Sequence, residues 1–239
     1  MVSYMDYTSP NTQFTYDVNE SRFFTKDHRN FINVLGIKQL NTLENISLLD
    51  IFLSKTNVIE PHTHQNAAEL VYCISGSATV SMLNRSPRKY KITRLPPDKW
   101  RMFRRGVDAE SFTQKIQNYP ITPGQVANVP QGWWHYEIAT SDKTHLLARF
   151  DAHTPEVIYG SDILRLTPPE IMAHTYCLNE HEWEKAVSPI RKSTVIGPDQ
   201  YCGQSENTDI YDMNKPYQPN THYPNDPYRY YPQPLYWRY

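Results

Sequence analysis

Pro61-His62-Thr63-His64-Gln65-Asn66-Ala67-Ala68-Glu69-Leu70 is the stretch that decides how this chain folds. In an extended strand alternate side chains share a face, so His62 and His64 point to one side, about 6.5 Å apart along the backbone. Glu69 follows a short turn region and enters the same interior from the next strand. Far along the chain, Pro130-Gln131-Gly132-Trp133-Trp134-His135-Tyr136-Glu137 adds a third histidine, His135, from another strand. Three neutral imidazole nitrogens and one carboxylate make a hard-to-borderline donor set suited to Mn²⁺, Fe²⁺ or Zn²⁺. A lone H-x-H is a weak signal. The spacing HxHx4Ex6G over 62–76 followed by Gx5PxGx2H over 124–135 is far more specific, because eight positions must agree.

Outward from these motifs the chain reads as sheet. Short β-branched or apolar runs occur at 45–54, 69–75 and 77–83, with Gly76 as a hairpin turn between the last two. The pattern resumes at 110–117, 125–129, 135–139 and 145–150. Many short strands broken by turns predict an all-β sandwich or barrel. Two helices are expected after it. One has Thr167 as N-cap, Pro168 as first helical residue and Glu170 closing a capping box, and the other starts at Asn179. Ile171, Met172, Trp183 and Val187 would pack them on the barrel flank. By strand alternation Trp134 and Tyr136 face away from the metal, so at most Trp133 lines its pocket, and packing is the default reading of all three.

The expected organisation is a flexible N-terminal arm at 1–19, disordered or laid on a neighbouring subunit, then a single domain at 20–190. A linker and tail fill 191–239. A basic excursion at 84–119 carries ten Lys or Arg against three acids, either a solvated loop or a surface attracting an acidic partner or anionic substrate. Residues 211–239 hold eight tyrosines and six prolines with almost no aliphatic residues, a composition that cannot pack a core. It predicts a disordered, polyproline-like interaction tail. Formal net charge is −1, so the whole-chain balance asks for neither nucleic acid nor a membrane surface. No signal peptide or spanning segment is apparent, and synthesis in the cytoplasm is expected. Cys73, Cys177 and Cys202 lie far apart without a C-x-x-C pair, and Cys73 reads as a buried strand residue.

The two motifs resemble the signature of the cupin superfamily. Over about residues 20–190 the chain is similar to its germin-like and oxalate decarboxylase-like branch, the TPPE stretch at 167–170 resembling that branch's flanking helices. The resemblance implies a single jelly-roll β-barrel that binds manganese through His62, His64, Glu69 and His135. It implies decarboxylase- or oxidase-like chemistry on a small carboxylate, and a homo-oligomer of two or more chains. Glu156, with His153 as a poorer alternative, matches the place of the branch's proton-donating lid glutamate. Three positions depart from the pattern: Thr56 and Ala139 replace a glycine and an asparagine, and Ile59 stands where an arginine would clamp a carboxylate. The tail at 204–239 resembles the tyrosine-rich tails of bacterial spore-coat proteins. That implies a second reading, an inactive structural cupin deposited in a coat or other assembly.

Overall fold

The computed structural model describes residues 6–84 and 115–199. The strands run in chain order as β1 (Arg22–Thr25), β2 (Phe31–Leu35), β3 (Ser47–Leu53), β4 (Val58–Thr63), β5 (Glu69–Ser75) and β6 (Ala78–Asn84). They continue as β7 (Lys115–Ile121), β8 (Val126–Val129), β9 (His135–Ala139), β10 (Thr144–Phe150), β11 (Ile158–Tyr159) and β12 (Ile196–Gly197). One antiparallel sheet has the order β1-β2-β3-β10-β5-β8, and the other β11-β4-β9-β6-β7 with β12 also on β4. The two sheets form the expected all-β jelly roll.

Period-two burial explains why these segments are strands. Along β10, Thr144, Leu146, Ala148 and Phe150 are buried while His145 and Leu147 are only half-buried. Val71 and Cys73 on β5 obey the same rule, whereas β6, inside its sheet, is buried on both faces from Ala78 to Met82. Their inward faces, with Ile51, Leu53, Ile59 and Val129, make one apolar core between the sheets. Cys73 is fully buried there, as expected, its thiol directed at the Ser75 and Gly76 carbonyls. Gly76 turns the β5–β6 hairpin at φ +73°, and a Cβ there would lie 2.7 Å from the Thr144 backbone, so only glycine fits.

The boundaries differ from expectation where local signals conflict. β7 runs on through Asn118, Tyr119 and Pro120 because it is an edge strand, where a missing N–H costs no ladder bond. Residues 110–114 of the expected strand, and the excursion between 85 and 114, lie outside the described residues, as do residues 200–239. In the N-terminal segment the Gln13 amide donates to Asn41 Oδ1 at 2.9 Å, and the Thr42 hydroxyl donates to the Gln13 carbonyl at 2.7 Å. The described part of that segment is thus tied to its own chain.

Three helices follow the barrel: α1 (Gly160–Leu166), α2 (Pro169–Tyr176) and α3 (Glu180–Val187). Asn179 caps α3 as expected, accepting from the Glu182 amide at 3.0 Å. Thr167 does not cap α2. It ends α1, its hydroxyl donating to the Ile163 carbonyl at 2.6 Å, and α2 starts one residue later, with Pro168 at the N-cap and Pro169 as first helical residue. Nor do α2 and α3 bury apolar faces on the barrel. They pack mainly on each other, and neither contains a buried residue. It is α1 that sits on β4 and β11. Among the described residues no helix is long and apolar enough to cross a membrane.

A buried carboxylate fastens this layer. Glu60 projects from β4 away from the core; its Oε1 accepts from the Ser161 hydroxyl at 2.9 Å and the Val195 amide at 2.6 Å. Its Oε2 accepts from the Ser161 amide at 2.9 Å. One side chain thereby ties the start of α1 and the β12 segment to β4.

Candidate metal centre

His62 lies directly opposite His135 in the β4–β9 register, after an irregularity between Ile59 and His62 that keeps both Ile59 and His62 buried. His64 follows β4, and Glu69 opens β5 on the facing sheet, where it pairs with Phe150 and Val129. The centre therefore spans both sheets at one end of the core. All four side chains are buried, and one potential ligand atom from each lies within 4.8 Å of all the others. The histidine Nε2 atoms stand 3.9 Å (His62), 3.4 Å (His64) and 2.8 Å (His135) from Glu69 Oε2.

The backbone orients the rings. Nδ1 of His62 donates to the Glu60 carbonyl at 2.7 Å, that of His64 to Glu156 at 2.8 Å, and that of His135 to Trp133 at 2.8 Å. A carbonyl can only accept, so in the neutral ring each Nδ1 carries the proton and each Nε2 keeps its lone pair, aimed at the common centre. Buried His64 Nε2 has no hydrogen-bond partner among the described residues. Three lone pairs converging on one carboxylate, one without a partner, is the arrangement a divalent cation satisfies, so the residues fit the metal. Phe150 closes the wall edge-on to His64, ring centroids 4.7 Å apart.

Electrostatics in the metal-free chain follow from burial and crowding. Burial, helped by positive charge on His135, pushes His62 down to about 3. Burial also works against a proton on His135, but the Glu69 hydrogen bond and the Glu137 and Glu69 charges hold it up to about 9. Burial would raise Glu69, yet the His135 hydrogen bond and the crowded imidazoles of His64 and His62 carry it far below the usual carboxylate range. Glu69 thus stays an anion and His135 carries the proton that a cation would displace.

Glu156 enters the site through its main chain: its carbonyl orients His64, and its amide donates to Asn66 Oδ1 at 2.7 Å. Its side chain is exposed, as is that of His153. Trp133 packs against the core and lines a surface cleft with Met82 and Pro130, whereas Trp134 lies on the outer face beside Gly160, as alternation requires. Thr56, at the glycine position of the motif, adopts φ +71°, the left-handed region in which a β-branched residue is strained.

One buried residue escapes the motif. Glu137 follows His135 by two on β9 and so faces the same interior, 1% exposed; its Oε1 has no hydrogen-bond partner among the described residues and lies 3.7 Å from His135 Nε2. Burial, with the Glu69 charge, pushes its carboxyl up to about 8. The alternation that separates Trp134 and Tyr136 from the metal is the signal that would have found it.

The family model described as Cupin matches residues 20–183, and the chain belongs to this family. A search of curated protein sequences returns no match. Among solved structures, Bacillus subtilis oxalate decarboxylase at pH 4.6 is similar at TM-score 0.60 and 18% identity, over 85% of this chain and 45% of that one. Another structure of that enzyme, from work on its Mn(II) centres, matches at TM-score 0.61 and 18% identity, over 92% and 48%. The coconut allergen cocosin matches at TM-score 0.57 and 20% identity, over 75% and 42%. The chain spans less than half the length of each of these proteins, and at such identities the likeness is one of fold.

Proposed function

We propose that this chain is a metal-dependent cupin acting on a small oxygenated molecule, a carboxylate or a close relative, with decarboxylase- or oxidase-like chemistry. The observation that carries this reading is the convergence of three backbone-oriented histidine Nε2 atoms on Glu69 in a buried site. His62, His64, Glu69 and His135 would hold the ion. Mn²⁺ is the first choice, by analogy with the Mn(II) centres of the oxalate decarboxylase neighbour, with Fe²⁺ and Zn²⁺ as alternatives. When bound, the metal supplies Lewis-acid polarisation of a coordinated oxygen. The core keeps bulk water from the site, and the backbone carbonyls fix each ring before a ligand arrives. Glu156, whose main chain already holds His64, is the candidate proton donor at the rim.

A second reading gives the metal a structural role and makes the tyrosine- and proline-rich tail the working part, joining the barrel to a spore coat or similar assembly after synthesis in the cytoplasm. The composition of residues 211–239 favours it, as does Ile59, which cannot clamp an anion. Both readings expect association of chains into dimers or larger oligomers. Metal analysis of the full-length protein, paired with carbon dioxide and hydrogen peroxide assays over a panel of small carboxylates, separates them. Near-stoichiometric metal with product formed supports the enzyme; metal with no turnover on any panel member supports the scaffold. A protein without metal at the four residues sinks the catalytic reading.

A further inference from the structure

Glu137 is a buried carboxyl in the wrong company. Its register partners on either side are Ile59 on β4 and Val80 on β6, both apolar and buried. Among the described residues its Oε1 has no hydrogen-bond partner, and Nε2 of His135, a ligand atom of the candidate centre, lies 3.7 Å from it. Folding disfavours such a group, because a buried polar atom left unsatisfied is costly and a leucine or methionine would fill the space without that cost. The separation from His135 Nε2 is too long for a hydrogen bond, so Oε1 is left as an acceptor beside the candidate centre. With a metal held by His135, it would lie within reach of a bound ligand and could accept a hydrogen bond from a hydroxyl of that ligand.

Resting on the metal-dependent reading above, we propose that Glu137 is the specificity-determining acceptor of this site. It selects small ligands that carry a hydroxyl beside their metal-binding oxygen, α-hydroxy acids or diols, over bare dicarboxylates. A hydroxyl brings the donor that Glu137 lacks. A dicarboxylate anion brings no donor for that unpaired oxygen, whose residue has only apolar Ile59 and Val80 as register neighbours.

The test uses full-length protein loaded with Mn²⁺, with glycolate and oxalate as probes and their binding read from the Mn(II) spin-resonance spectrum and water-proton relaxation. Glu137→Leu is expected to weaken glycolate about tenfold relative to oxalate while metal content stays at the wild-type value, the loss of one ligand hydrogen bond. Glu137→Gln, whose amide oxygen still accepts, should keep part of the preference. Thermal melting monitors folding of both variants. An unchanged glycolate-to-oxalate ratio in the leucine variant overturns the assignment, and so does loss of the metal from a folded variant, which would make Glu137 a ligand instead. Wild-type protein that binds no Mn²⁺ overturns the metal-dependent reading itself, a result distinct from either.

Discussion

Two buried glutamates on neighbouring strands, Glu60 on β4 and Glu137 on β9, show how one sheet serves two purposes. Glu60 points out of the barrel and is 6% exposed, with both carboxylate oxygens engaged by three donors from Ser161 and Val195. Glu137 points in and is 1% exposed, with one oxygen that has no hydrogen-bond partner among the described residues. A buried carboxylate with its donors in place holds parts together; the same group without them costs stability and is retained where a ligand can complete it. The outer face of this sheet is therefore built for the fold and the inner face for the site. The backbone joins the two, since the carbonyl of Glu60 orients His62.

The largest effect should come from emptying the outer clamp. Glu60→Ala leaves the Ser161 and Val195 donors without an acceptor and should cost roughly 3 kcal/mol or more of folding stability. Chemical denaturation measures it, and a loss under about 1 kcal/mol would erase the contrast between the two glutamates. Metal uptake should follow the protons of the inner face. In the metal-free chain His135 is held at about 9 against an ordinary 6.5, so its stabilising contribution is full below pH 6.5 and lost as pH rises through 9. His62, held down at about 3, works in the opposite sense: its contribution is present above pH 6.5 and fades as pH falls towards 3. A bound cation must displace the proton on His135, so Mn²⁺ affinity should climb up to about tenfold per pH unit between 6.5 and 9. Titration at several pH values with flat affinity would remove His135 from the ligand set.

Smaller effects sharpen the same contrast. Glu137→Leu should raise the stability of the metal-free protein by about 1 kcal/mol near neutral pH, opposite in sign to Glu60→Ala, because it removes an unsatisfied group and fills its space. A melting temperature that falls would mean Glu137 belongs to the fold after all. Smallest is Thr56→Gly in the turn before β4. It relieves a positive φ worth about 1–2 kcal/mol but loosens the unfolded chain, for a net gain of about 0.5 kcal/mol read by denaturation.

The spacing of the motif residues along the chain was enough to single out the four side chains that the structure brings together as a candidate metal group, because the period of a strand puts His62 and His64 on one face. Strong alternation likewise made most central strands legible, β5 and β9 to the residue. Where hydrophobic period and local chemistry disagreed, the sequence misled. Pro120 hid the end of β7, and the Thr167-Pro168-Pro169 run offered two helix starts between which only the demand of α1 for a cap decides. Glu60 and Glu137 read identically along the chain, each an acid between apolar neighbours in a strand. Only the tertiary structure tells them apart, because the worth of a buried carboxylate depends on the donors that distant segments bring to it. Ser161 and Val195 reach one, and apolar Ile59 and Val80 flank the other.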